Sequence, residues 1–241
     1  MTERLGQWLV RGGPLREALW VWTIGFLAIV AAFVAYPPAA SVVATLGFLY
    51  LPRLAMDVRG EEPEDYGLSL RAWRKDLAWF LGFSAVITPL YAAGFVLFQQ
   101  GLGWLPREIA QHLSPHTGTL PPFEFRLPKD FASFVLGQTL VVALPEEFFY
   151  RGYVLSRLKA AWPGGPELWG VKIGRAFWIT ALLFALGHLA IFQFWRLGVF
   201  FPALLFGWMR ERTGTVVGAA AFHAYCNILA AVLQASFFGA G

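Results

Sequence analysis

The stretch FASFVLGQTLVVALPEEFFYR, residues 131–151, decides how this chain is read. Fourteen residues from Phe131 to Leu144 are almost uniformly apolar, and Pro145 then introduces two adjacent carboxylates, Glu146 and Glu147. An ionisable group inside a hydrophobic span costs roughly 3 kcal/mol or more even on the mildest insertion scales, so it marks function by default. Comparable apolar runs elsewhere hold two histidines, His188 and His223. The pattern predicts a polar, water-handling site inside a membrane protein.

Composition agrees. Of 241 residues, 57% are hydrophobic and 14% charged, against about 25% charged in a soluble domain. The mean hydropathy of +0.55 points the same way. Several tryptophans fall near the ends of apolar runs (Trp20, Trp22, Trp79, Trp178, Trp195, Trp208), where amphipathic rings anchor to headgroups. The single Cys226 excludes an intrachain disulfide and a cysteine-rich zinc site. Nothing points to nucleic acid; the lipid bilayer is the expected environment.

Working outward, hydropathy predicts an all-α polytopic bundle of about seven spans, near 18–36, 39–56, 77–98, 131–150, 177–195, 197–210 and 215–238. The chain is one membrane domain, 1–241, with a cavity between its C-terminal helices. The run Ala18–Tyr36 is longer than the hydrophobic region of a signal peptide, roughly 7–15 residues, and reads as a retained span. Residues 1–16 form a possible interfacial helix carrying Leu5, Trp8 and Leu9. Asp130 is placed to cap the fourth span, and Pro163-Gly164-Gly165-Pro166 ends it. His112 and His116 lie in a long loop and read as surface residues. With the N-terminus inside, only Arg107, Arg126, Lys129 and Arg196 of the 19 Lys and Arg residues fall outside. That asymmetry follows the positive-inside rule and predicts an inner (plasma) membrane protein with its C-terminus, Gly241, outside.

Three helical pairs carry the chemistry. Glu147 and Arg151, Phe184 and His188, and His223 and Asn227 are each spaced i, i+4, so each pair shares a helix face. Glu147 is assigned to structure through Arg151. Glu146 points about 100° away around the helix and is assigned to chemistry. At 1.5 Å rise per residue, Glu146, His223 and His188 lie roughly 8, 12 and 16 Å from the inner boundary, within one half of the core. A carboxylate there can deprotonate water, while His188, His223 and Asn227 can serve a developing oxyanion. Glu146 with the two histidines also matches a catalytic zinc set. A relay of Glu and His could equally serve a proton-coupled transporter, although no internal repeat is apparent.

The motifs Glu146-Glu147-x-x-x-Arg151, Phe184-x-x-x-His188 and His223-x-x-x-Asn227 resemble the three signatures of the CPBP (Abi, CAAX protease) family, which includes the Ras-converting CAAX endopeptidases. The likeness covers residues 131–238; the first three spans match only as generic membrane helices. It implies an intramembrane endopeptidase with Glu146, His188, His223 and Asn227 as catalytic residues, supported by Glu147, Arg151 and Phe184. Similarity to glutamate-type members implies a metal-free site, with a zinc-dependent protease or a non-catalytic bacteriocin-immunity or scaffold protein as the alternatives. The implied substrate is a membrane-anchored protein or peptide, with C-terminal processing of surface proteins as one form. The oligomeric state is left open.

Overall fold

The computed structural model describes residues 2–114, 116 and 119–239; the terminal Gly241 of the topology expectation lies outside them. Among the described residues, nine helices make up the fold. They are α1 (Thr2–Val10), α2 (Gly13–Ala35), α3 (Ala39–Arg59), α4 (Trp73–Leu102), α5 (Arg107–Leu113), α6 (Phe131–Ala161), α7 (Arg175–Gly187), α8 (Phe200–Thr213) and α9 (Val217–Phe238). A hairpin, β1 (Glu167–Leu168) and β2 (Val171–Lys172), follows the Pro/Gly break. The short helix α1 forms as expected for residues 1–16 and lies so close to α3 that a Cβ on Gly6 would collide with the Leu54 carbonyl.

Five helices, α2, α3, α4, α6 and α9, are long and apolar enough to cross a membrane. The chain is therefore a polytopic all-α membrane protein. The fifth and sixth expected spans are α7 and α8, of 13 and 14 residues. At 1.5 Å per residue each is about 20 Å long, short of a core about 30 Å thick. The distance is made up by two 3₁₀ turns, His188–Ile191 and Phe194–Val199. Non-helical backbone at membrane depth is tolerated where it lines a cavity, and His188, Ile191, Arg196 and Val199 all do so. Hydropathy sees two apolar runs there but not the break between them.

The two ends of the bundle differ. At one end a charged network joins α2, α3, α6 and the 3₁₀ turn Pro63–Tyr66. Glu17 pairs with Arg59 at 2.6 Å and Arg157 at 3.1 Å, and accepts a hydrogen bond from Tyr153. Arg59 also pairs with Glu61 at 2.6 Å. Burial raises the Glu61 pKa, but hydrogen bonds from Tyr66 and Arg59 outweigh it and hold the carboxyl below its usual range. The Tyr66 hydroxyl is pushed up to about 12 by burial and by Glu61. Lys159–Glu211 and Arg53–Glu62 contacts lie at the same end. At the opposite end the strand-like segment before α6 meets α9, where Glu124 N–H donates to the Ser236 carbonyl. Arg53, Arg59, Arg157 and Lys159 thus sit at one end, and Arg126 sits with Ser236 at the other.

One local expectation fails. Asp130 does precede the first turn of α6, but its side chain makes no capping hydrogen bond. Its backbone is left-handed, φ 48°, whereas a side-chain cap requires an extended residue.

Candidate active site

The α6 helix that carries the two glutamates is not uniformly α-helical. π-helical segments at Gly137–Ala143 and Phe148–Val154 flank a single α turn, Leu144–Glu147. Pro145 has no N–H to donate, so the ladder must rearrange around it. π-bulges of this kind recur at functional sites because they re-aim side chains. Here the wider turn sends Glu146 into a cavity and Glu147 into the protein.

The cavity has a volume of about 660 Å³ and is walled by α2, α3, α6, α7, α8, α9 and the 3₁₀ turns. Glu146, His188, His223 and Asn227 all line it. Its lining extends to Pro37, Arg196 and Gln234, at the end away from the Glu17 network. The four residues singled out by the sequence are therefore brought together from α6, α9 and the 3₁₀ turn His188–Ile191.

Glu147 is completely buried, with 0% side-chain exposure. Its Oε1 accepts from Arg151 Nη1 at 3.0 Å and from His223 Nδ1 at 2.9 Å. Arg151 donates a second bond to the Ala203 carbonyl at 3.1 Å. Its guanidinium lies 4.2 Å from the Phe184 ring centroid, and the Phe206 and Tyr150 rings also face it. A buried cation so enclosed gains from both the ion pair and the ring quadrupoles. Glu147 thus has two partners: the expected one on its own helix, and His223 across the helix interface. The second could not be read from spacing, because it depends on how α6 packs on α9.

His223 is fixed on three sides. Phe206 stacks on it at 4.9 Å with an interplanar angle of 15°, and Phe184 meets it edge-on. Because Glu147 accepts at Nδ1, that nitrogen carries the proton, and Nε2 is left facing Glu146 Oε2 at 4.0 Å. His188 is held in the same sense. Its Nδ1 lies 2.9 Å from the Phe184 carbonyl, which only accepts, so Nδ1 is again the N–H. In both neutral rings Nε2 is then an acceptor, and becomes a donor only on protonation. Gly187 allows Tyr150 to pack beside this turn, since a Cβ there would collide with the phenol oxygen.

Glu146 is 18% exposed, and its Oε2 has no hydrogen-bond partner among the described residues. Asn227 Nδ2 donates to Gln138 Oε1 at 2.9 Å; the other amide hydrogen is free to serve a ligand. Gln138 and Arg196 are lining residues that the sequence reading did not single out. Gln138 lies eight residues before Glu146 in α6, a signal available only once the π-helical register is known. Among the described residues no three His, Cys, Asp or Glu side chains are placed to hold a metal ion.

Comparison with known proteins bears on this same region. No curated protein and no solved structure matches the chain. Residues 128–229 match the family described as type II CAAX prenyl endopeptidase Rce1-like, a segment that runs from just before α6 into α9 and contains every residue of the cavity's polar cluster. Over this segment the chain is similar to the CAAX-protease (CPBP) family of membrane-embedded peptide hydrolases.

Proposed function

We propose that the protein is a glutamate-type intramembrane endopeptidase, acting on a membrane-anchored protein or peptide without a metal cofactor. The observation that carries this reading is the unpartnered, buried Glu146 Oε2 inside the cavity, 4.0 Å from His223 Nε2. A carboxylate oxygen held there without a hydrogen bond has its lone pairs free to accept from a bound water.

In the first step Glu146 accepts a proton from water as the water oxygen bonds to the peptide carbonyl carbon. The carbonyl π electrons move onto oxygen. Asn227 supplies an N–H to that oxyanion in every protonation state. His188 and His223 supply one when protonated, and Glu147 holds the His223 ring through Nδ1. The oxyanion then collapses, the C–N bond breaks, and the amine leaves with the proton held by Glu146. Positioned general bases typically contribute about 10²–10⁴-fold, and one oxyanion donor about 10²–10³-fold.

Orientation follows from charge. The end holding Glu17, Arg59 and Arg157 faces the cytoplasm of an inner (plasma) membrane, so the cavity opens on the outer face. C-terminal processing of surface proteins suits that geometry. The test is Glu146→Gln in purified, detergent-solubilised protein: cleavage is expected to fall by about 10³-fold or more with the melting temperature unchanged. Turnover at the wild-type rate would overturn the assignment. Elemental analysis after chelation and gel filtration checks the metal. Stoichiometric zinc whose removal abolishes activity, and whose return restores it, would reinstate the zinc reading.

A further inference from the structure

Pro145 has consequences beyond its own turn of α6. It carries no N–H, so the Val141 carbonyl four residues back receives no helical bond from it. The Thr45 hydroxyl of α3 supplies a donor instead, 2.9 Å away. Just before Pro145 the ladder widens: Leu144 N–H donates to the Thr139 carbonyl, five residues back rather than four. A π turn of this kind takes in one extra residue, and here it lies between Gln138 and Glu146. In an unbroken α-helix their spacing would turn the chain by about 800°, leaving the two side chains roughly 80° apart. With one residue absorbed, the spacing counts as about seven steps and 700°, which puts both on one face. Gln138 and Glu146 accordingly line the same cavity. There Gln138 Oε1 accepts from Asn227 Nδ2 at 2.9 Å, across the interface of α6 and α9. The torsion that turns an asparagine amide is broad and roughly two-fold. Without a partner the amide presents either Nδ2 or Oδ1 to the cavity, and only Nδ2 can donate to an oxyanion. An acceptor bonded to one Nδ2 hydrogen selects one of those two states.

We propose that Gln138 is a positioning residue that acts through Asn227, holding its amide so that the second N–H serves the oxyanion. The proposal rests on the protease reading of the same cavity and adds to it the group that orients the one oxyanion donor needing no protonation. The π turn couples the two halves of the chemistry. The distortion that places Glu146 in the cavity also sets Gln138 against α9, so base and donor are aligned by one feature of one helix.

Asn227 is the only asparagine in the chain, so ¹⁵N-asparagine labelling of the full-length protein gives a single side-chain amide by NMR. In wild type its two hydrogens are expected at well-separated shifts, the bonded one downfield. Gln138→Met and Gln138→Leu fill a similar volume without a comparable acceptor, and either should abolish that downfield shift. Cleavage of a fluorogenic hydrophobic peptide in detergent supplies the second readout. Each folded variant should lose about 10- to 100-fold in kcat, less than the roughly 10²–10³-fold expected when an oxyanion donor is removed outright. KM should stay within about threefold and the melting temperature should be unchanged. In an Asn227→Ala background the same substitutions should alter kcat by less than about twofold, because no amide is left to position. Losses that multiply in that background overturn the proposal, since Gln138 would then act on its own. So do wild-type kcat in a Gln138 variant or in Asn227→Ala, a raised KM at constant kcat, or an Asn227 spectrum that Gln138→Met leaves unaltered. Failure of both Gln138 variants to fold would assign the residue to packing, and overturns it too. Gln138→Met at full rate while Glu146→Gln is inactive removes this proposal alone. Cleavage at the wild-type rate by Glu146→Gln, or none by wild type, removes the protease reading and this proposal with it.

Discussion

The α6 helix carries two buried charge clusters within three turns of each other, and they are built to opposite specifications. Near the basic end, Glu17 is met by Arg59, Arg157 and the Tyr153 hydroxyl, so the carboxylate from α2 is saturated by donors from α3 and α6. Beside the cavity, Glu147 Oε1 accepts from Arg151 and His223, but Glu147 Oε2 and the Oε2 of its neighbour Glu146 are both left without a hydrogen-bond partner among the described residues. Desolvating a carboxylate costs several kcal/mol, and a fold recovers that only by supplying partners. The first cluster recovers it in full and holds helices together. The second forgoes part of it at two oxygens, and of the two residues Glu146 lines the cavity while Glu147 is completely buried.

Removing Arg151 should break this contrast most severely. Arg151→Ala strands Glu147 at zero exposure and empties the space enclosed by Phe184 and Phe206. Loss of about 3–5 kcal/mol of stability is expected, visible as a fall in thermal unfolding temperature, with activity lost alongside. A variant that keeps its melting temperature but loses turnover would move Arg151 from scaffold to chemistry.

The Glu17 cluster should yield the reverse pairing of effects. Glu17→Gln leaves Arg59 and Arg157 short of a counter-charge, though both are partly exposed. Its cost should fall at or below the lower end of that range, about 2–3 kcal/mol, with cleavage by the folded fraction within about threefold of wild type. A cleavage defect at unchanged stability would show that the network tunes the site rather than the fold.

A smaller effect separates the clusters by pH. The Glu61 carboxyl is held below its ordinary value in the folded state. Its contribution is therefore fully present above the unfolded carboxylate value, near about 4.3, and is lost as pH falls through the folded value. The stability difference between wild type and Glu61→Gln should be largest near neutrality and shrink below about pH 4. It should stay under about 1 kcal/mol, because the pair is partly solvated. A difference that grows on acidification would contradict the assignment.

Much of this was legible in the sequence, for physical reasons that also explain the gaps. Apolar runs report membrane spans, and α2, α3, α4, α6 and α9 appear where hydropathy put them. The i, i+4 rule found Glu147 with Arg151 because both lie on one helix. It could not find Glu147 with His223, or Asn227 with Gln138, because those contacts depend on the packing of α6 against α9. Nor does hydropathy report where a helix stops inside an apolar run, so the 3₁₀ turns that bring His188 and Arg196 to the cavity were invisible. Glu17 stayed hidden because a single acid at the edge of a span looks like a solvated boundary until its partners from α3 and α6 are seen.

The adjacent glutamates allow the most direct test. Glu146→Gln and Glu147→Gln should be purified in parallel, each measured for peptide cleavage and for thermal unfolding on the same preparation. The account predicts that the first melts with wild type and cleaves about 10³-fold more slowly or worse, while the second unfolds at a clearly lower temperature because Arg151 and His223 lose their anion. Cleavage near the wild-type rate by Glu146→Gln, with Glu147→Gln stable but inactive, would exchange the two roles and contradict it.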